Sequence, residues 1–246
     1  MSNSSPRISV IIPTLLEEKY IQRTLKQFTP EIKEQFGIEV IVSDGGSKDQ
    51  TACLAEGLAD LILVHRGKER QTISGGRNEG ARAARGSLFV FLNGDTVIAE
   101  AERFFTVVRS SFEDPAVIAA TCDVTIYPEE EIIADKLFHG FFNFYFKLLN
   151  KIGIGMGRGE CQVVRSERFF EVGGYDQSLV AGEDFNLFVQ LHRLGKIAYL
   201  PSMKVWESPR RFRRFGYRRI TLLWFLNALS VFFRGKSATK DWEPIR

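Results

Sequence analysis

The stretch that most constrains this chain is Ser87–Thr96, in which five consecutive apolar residues, Leu88 to Leu92, stop at Asn93-Gly94-Asp95. A run so short and unbroken, entered from Gly86, is the pattern of a strand covered on both faces in a parallel sheet. Its carboxyl end, where the carboxamide and carboxylate fall, is the edge at which open α/β sheets bind ligands. Asn-Gly also closes a strand by turn chemistry alone, so the other strand ends decide between the two readings. Ile8–Ile12 is a β-branched run stopped by Pro13-Thr14, with Glu17 close behind; Ile38–Val42 ends in Ser43-Asp44-Gly45-Gly46-Ser47, and Leu61–Val64 makes a third strand. Between them lie segments of helical spacing: Glu17–Phe36, bent or split at Pro30, a helix ending near Gly57, and Ser74–Arg85. This alternation predicts an α/β fold with a single doubly wound, mostly parallel sheet flanked by helices. Parallel strands finish at one edge, so the polar ends converge, which favours a binding site over isolated turns.

At 246 residues the chain suits one large domain with ample apolar content for its core. The net charge of +3 is mild, and Lys and Arg concentrate after residue 203. The basic character therefore marks a tail, not a nucleic-acid-binding fold. Cys53, Cys122 and Cys161 are odd in number and form no CxxC pair, which predicts reduced thiols in a cytosolic setting without a disulfide framework or zinc site. The segment Met1–Pro6 is polar and lacks the apolar core of a signal peptide, and no apolar run has the length of a spanning helix.

Taken together, Ile8-Ser-Val-Ile-Ile-Pro-Thr14 with Glu17-Glu18, Val42-Ser-Asp-Gly-Gly-Ser-Lys-Asp49, Gly76–Gly86 and Phe91-Leu-Asn-Gly-Asp-Thr96 resemble, in order, the successive motifs of family 2 glycosyltransferases. The likeness runs to about residue 207 and implies the glycosyltransferase type A fold over residues 1–207, with a nucleotide-sugar half at about 8–98 and an acceptor half at about 99–207. It implies that Pro13, Thr14, Glu17, Asp44 and Gly45 hold the base and ribose of a nucleotide diphosphate sugar, with Arg77, Asn93 and Gly94 also at the nucleotide. Asp95 matches the last carboxylate of the family's Asp-x-Asp motif, the ligand for Mg2+ or Mn2+. The first Asp of that motif is Asn93 here, which lowers the charge beside the metal. Hard divalent cations accept one or two carboxylates together with substrate phosphates, a minimum that Asp95 supplies.

Further along, a helix from Ala99 to Val108 and a strand Val117–Ile126 are expected. Ile132–Ile154 is a helix aromatic on more than one face, which fits the core, a subunit interface, a membrane surface or a greasy acceptor. Gly153, Gly155, Gly157 and Gly159 do not fit a dinucleotide fingerprint and read as a flexible loop; the resemblance places it beside the acceptor, with Arg158 and Glu160 as contacts. Glu171-Val-Gly-Gly-Tyr-Asp176 and Gly182-Glu-Asp-Phe-Asn-Leu187 resemble the family's Gly-Gly-Tyr-Asp element and Glu-Asp motif. By that resemblance Asp184 is the general base for the acceptor proton, supported by Glu183, although a helix N-terminus attracts acidic residues by its dipole alone. Glu207 stands where relatives often carry a metal-binding His; it is an oxygen ligand or a solvated glutamate. The QxxRW element of processive synthases is missing, which implies a single transfer.

Residues 208–246 form a basic and apolar tail, with arginines among Phe212, Phe215 and Tyr217 followed by the apolar run Ile220–Phe233. It reads as an amphipathic helix at an anionic membrane surface, or as one docked on the protein's own core or a second subunit. The expected protein is an inverting, metal-dependent glycosyltransferase acting on a saccharide or lipid-linked acceptor. It would work in the cytoplasm, peripheral on the inner face of the cell membrane, without nucleic acid and with homo-oligomers open. A sugar nucleotidyltransferase and an inactive membrane-associated partner protein of the same fold are the competing expectations.

Overall fold

The computed structural model describes residues 7–68 and 70–239, so the reading of Met1–Pro6 and the last part of the tail lie outside the described residues. In chain order these form β1 (Ile8–Thr14), α1 (Ile21–Lys26), α2 (Pro30–Phe36), β2 (Ile38–Asp44), α3 (Thr51–Ala55), β3 (Leu61–Val64), α4 (Ile73–Ala83), β4 (Leu88–Leu92) and β5 (Thr96–Ile98). Then follow α5 (Ala101–Ser111), β6 (Val117–Ile126), α6 (Ile133–Lys151), β7 (Cys161–Arg165), α7 (Ser166–Glu171), α8 (Glu183–His192), β8 (Lys196–Glu207), α9 (Arg210–Phe215) and α10 (Tyr217–Arg234).

The strands make one sheet in the order β3-β2-β1-β4-β7-β6-β8-β5. The first four run parallel, which puts the carboxyl ends of β1, β2 and β4 at one edge. The sheet as a whole is mixed, because β7 lies antiparallel between β4 and β6, and β5 is antiparallel to β8. Alternation along the strands fills two cores. Ile8, Val10 and Ile12 of β1 with Leu88, Val90 and Leu92 of β4 pack on Leu25, Phe36 and Phe105, while Ile11, Phe89 and Phe91 face Phe169, Tyr175 and Phe188 on the other side. Ser9 and Glu39 interrupt the apolar runs without penalty, since the Ser9 hydroxyl donates to Glu39 and Arg85 closes the network. Pro30 starts a second helix, where its missing N–H is harmless, and Thr29 caps it.

The loop containing Gly155 and Gly157 corrects an expectation: it is packed, not flexible. A Cβ on Gly155 would collide with the carbonyl oxygen of Phe188 in α8. Gly155→Ala is expected to lower stability by roughly 1–3 kcal/mol, read by urea unfolding; an unchanged midpoint would contradict the close approach.

Helix α6 is built inside out. Its inward face is polar: Asp135 and His139 are 0% exposed and Asn143 is buried, while Leu137 and Phe141, 71% and 62% exposed, lie outward with Phe144 and Leu148. Asn143 bonds both backbone groups of Val124 in β6, and Asp135 accepts from Arg213 and Tyr217, whereas neither ring nitrogen of His139 has a hydrogen bond among the described residues. Helix α10 lies alongside. Trp224 packs edge-on against Phe142 and at a tilt against Phe138, Ile220 and Val231 are buried, and Leu222, Phe225, Leu226 and Phe233 are exposed. Among the described residues no helix is long and apolar enough to cross a membrane.

Candidate functional site

The carboxyl ends of β1, β2 and β4 hold a dense polar cluster. Asp44 is buried and accepts from Thr14 Oγ1 (2.9 Å), from the backbone N–H groups of Gly46 and Ser47, and from Ser47 Oγ (2.6 Å). It thereby shapes the β2–α3 turn, an Asx device, and the Gly45 N–H donates to the Thr14 carbonyl to draw that turn over β1. Pro13, next to the last residue of β1, is buried at the same edge. Gly94 is there for closeness, not for an unusual φ: a Cβ would stand 3.0 Å from Glu17 Cγ and 3.2 Å from Thr14 Cγ2. The turn after β4 therefore sits directly on Glu17, and Asp95 is buried beside it. The Tyr127 hydroxyl donates to the Asp95 carbonyl at 2.6 Å and fixes the backbone there.

Arg77 joins this edge to the second half of the chain. Fully buried on α4, it donates to Asn93 Oδ1 (3.0 Å), to Glu183 Oε1 (3.0 Å) and to the Gly159 carbonyl (2.6 Å), with its guanidinium 5.0 Å from the Tyr175 ring. The first-turn carboxylates of α8 are thus held against the end of β4. Gly159 leaves room for Asp184, whose Oδ2 would lie 3.1 Å from a Cβ at that position. Burial, then repulsion from Asp184, pushes the Glu183 carboxyl up to about 7 against the pull of Arg77. Burial likewise raises Asp184.

A third group sits under α6. Arg158 donates to Glu160 at 3.1 Å and lies 3.7 Å from Glu207 Oε1, and His139 Nδ1 is 4.0 Å from the same oxygen. Burial, then Arg158, holds the His139 pKa down at about 4, so the imidazole is neutral. Glu160 is held ionised, because Arg158 outweighs its burial. Glu207 goes the other way: burial and the neighbouring Glu160 raise it well above the carboxylate range. Glu207 is also the strand partner of Thr96, next to Asp95, which adds to that repulsion. Burial raises Asp95 too, although Arg210 opposes it. Asp95, buried, and Glu207, half-buried with its Oε1 lacking a hydrogen bond, are two oxygen donors of the type that a hard divalent cation takes. Among the described residues no three His, Cys, Asp or Glu side chains already converge as a metal cage.

The structure gathers Thr14, Glu17, Asp44, Gly45, Asn93, Gly94 and Asp95 at one edge, and Arg158, Glu160 and Glu207 beside it. Arg77 points at protein acceptors. Sequence reasoning left Arg210 among the tail arginines, yet its Nη2 is 2.7 Å from Glu17 Oε1 and 3.1 Å from Asp95 Oδ2. Its place three residues after Glu207 was the available signal. His139 was also passed over, because its helix read as merely aromatic.

Comparison with known proteins gives a match to the family profile "Glycosyl transferase family 2" over residues 9–170. An uncharacterized glycosyltransferase, YfnE of Bacillus subtilis, is 37% identical over 97 residues, 38% of this chain and 24% of that protein. The O-antigen chain rhamnosyltransferase RfbN of Salmonella typhimurium is 26% identical over 215 residues, 82% of this chain and 66% of that protein. In fold the chain is similar to the mannosyltransferase PcManGT from Pyrobaculum calidifontis, solved with GDP-Man and Mn2+. The TM-score is 0.73 at 20% identity, covering 94% of this chain and 65% of that one. The chain therefore spans from about a quarter to two thirds of the length of these proteins.

Proposed function

The chain belongs to glycosyl transferase family 2, and from that premise we propose that it moves a single sugar from a nucleotide diphosphate sugar to an acceptor hydroxyl, inverting the anomeric centre. The observation that carries the reading is Arg77, which bonds Asn93 of the donor edge and Glu183 of the acid pair at 3.0 Å each. In this reading one buried side chain ties the nucleotide edge to Glu183, the neighbour in sequence of the proton acceptor Asp184. Pro13, Thr14, Glu17, Asp44 and Gly45 bind the nucleoside in this reading, and Asn93 and Gly94 border the diphosphate. Asp184 takes the acceptor proton, and Glu183, Arg158 and Glu160 orient the acceptor. Asp95 and Glu207 would hold Mg2+ or Mn2+, which when bound neutralises charge gathering on the departing diphosphate. The Mn2+ bound with GDP-Man in the similar mannosyltransferase supports the use of a divalent cation. The test is product analysis with UDP- and GDP-sugars: release of nucleoside diphosphate with transfer of one sugar is expected, and release of pyrophosphate from a triphosphate substrate would identify a nucleotidyltransferase instead.

The same reading places the enzyme on an anionic membrane, peripheral on its cytoplasmic face, with a lipid-linked acceptor. Support comes from the outward apolar stripes of α6 and α10, with Arg218, Arg219, Arg234 and Lys236 exposed on and just beyond α10. A shallow cavity of about 410 Å3, lined by Tyr217, Arg218, Thr221, Leu222 and Phe225, combines one cation with an apolar wall, as a lipid headgroup and chain require. Truncation after Glu207 is a poor test, because it strips Phe212 and Ile220 from the core. Leu222→Glu with Phe225→Glu is expected to reduce co-sedimentation with phosphatidylserine vesicles by roughly tenfold or more, leaving transfer to a soluble acceptor intact; undiminished co-sedimentation would place the membrane contact elsewhere.

A further inference from the structure

The geometry points to Arg210 as a cation of the donor site that passes from Asp95 to the donor's diphosphate. This rests on the donor-site reading above and adds a residue that the resemblance does not supply.

Arg210 opens α9, two residues beyond Ser208, and the β5–β8 pairing of Thr96 with Glu207 anchors its backbone next to Asp95. On its far side, Phe212 is buried with Ile126 and Ile220, and Arg213 is bonded to the buried Asp135, so α9 is fixed to the body of the protein. The side chain is only 18% exposed. One Nη2 serves both Glu17 and Asp95, and the guanidinium lies 4.8 Å from the Tyr20 ring. Arg210 also forms part of the wall of a cavity of about 100 Å3 with Leu16, Glu18, Lys19, Tyr20 and Asp49, at the carboxyl ends of β1 and β2.

The local charge explains the need. Asp95, Glu17, Glu160 and Glu207 crowd the site, and a diphosphate brings more negative charge to it. Arg158 is engaged by Glu160 and Glu207, and Arg77 by Glu183; Arg211 contributes to the field at Asp95, but it is Arg210 whose guanidinium lies on the carboxylate itself, at 3.1 Å. A guanidinium presents a planar fork that matches phosphate oxygens in pairs, a stronger attachment than the single nitrogen now shared by two carboxylates. Asn93 has already removed one carboxylate from this edge, so less opposite charge remains to hold Arg210 back. With a divalent cation held by Asp95, Arg210 would give up that carboxylate and turn its fork to the diphosphate oxygens. Arg210 and the cation thus compete when the site holds no nucleotide and act together when it does.

The test measures Mn2+ binding by electron paramagnetic resonance and UDP and GDP binding by calorimetry, on the wild type, Arg210→Ala and Arg210→Lys. Arg210→Ala is expected to bind Mn2+ alone more tightly, yet to bind the nucleoside diphosphate that the wild type prefers roughly tenfold to a hundredfold more weakly. Arg210→Lys, which keeps the charge without the fork, should fall between. A residue that merely tethers the tail would not tighten Mn2+ binding. An unchanged affinity of Arg210→Ala for either Mn2+ or the nucleotide overturns the hand-over, as does an Arg210→Lys variant no better than Ala. A wild-type chain that binds neither UDP nor GDP overturns the donor-site reading itself, and the proposal with it.

Discussion

Asp95→Asn is expected to reduce sugar transfer by about a thousandfold, the scale on which a single preorganised electrostatic group acts on a charged transition state, while leaving the chain folded. The carboxylate is the acidic side chain nearest the break after β4 and is anchored by the Tyr127 bond to its own carbonyl, which Asn keeps. Stability should not suffer. Burial lifts the folded-state pKa of Asp95 above its ordinary value. An acid raised on folding weakens the fold as pH climbs past its unfolded pKa, and near neutral pH a neutral isostere relieves that penalty. Arg210 retains Glu17 as a partner at 2.7 Å. Thermal melts should therefore show Asp95→Asn no less stable than the wild type. Near-normal transfer by this variant with metal chelated would remove Asp95 from the mechanism.

The second large effect is at Asp184. With an acceptor hydroxyl, Asp184→Asn is expected to slow transfer by roughly a hundredfold to ten-thousandfold, the usual contribution of a positioned base. Wild-type activity should rise with pH through about 7, where the Glu183 carboxyl titrates because of burial and the adjacent Asp184. Below that pH the acid pair retains a proton and the base is compromised. A rate–pH profile without this limb, or an Asp184→Asn variant within a few-fold of the wild type, would mean that the acceptor attacks as an anion, such as a lipid phosphate.

The parallel half of the fold was legible because each strand announces itself: Ile8, Ile38 and Leu88 open compact apolar runs whose polar ends fall in register. The second half was harder. β7 carries Gln162 and Arg165 within five residues, and β8 contains Pro201 followed by Ser202 at a positive φ of 59°, so neither shows clean alternation. β5 is three residues long and is specified by its partner β8, not by its own composition. At the candidate site, positions that follow from a strand end were readable, as with Thr14, Asp44 and Asp95, which the structure gathers at one edge. The position of Arg210 was not, because it depends on β8 returning the chain to β5 after more than a hundred residues. α6 misled for a related reason: Asp135, His139 and Asn143 are its buried face, and only the partners Arg213, Tyr217 and Val124 make that orientation stable.

The central claim is that the edge formed by Glu17, Asp44 and Asp95 binds a nucleotide diphosphate sugar together with a divalent cation. Thermal unfolding of the wild type with UDP- and GDP-sugars, with Mn2+ and with chelator, tests it most directly. Ligand at about a hundred times its Kd stabilises a fold by about 2.7 kcal/mol, so one nucleotide sugar should raise the Tm by several degrees with Mn2+, less with chelator and less again in Asp95→Asn. An unchanged Tm with every nucleotide sugar, or an equal shift in Asp95→Asn, would contradict the claim.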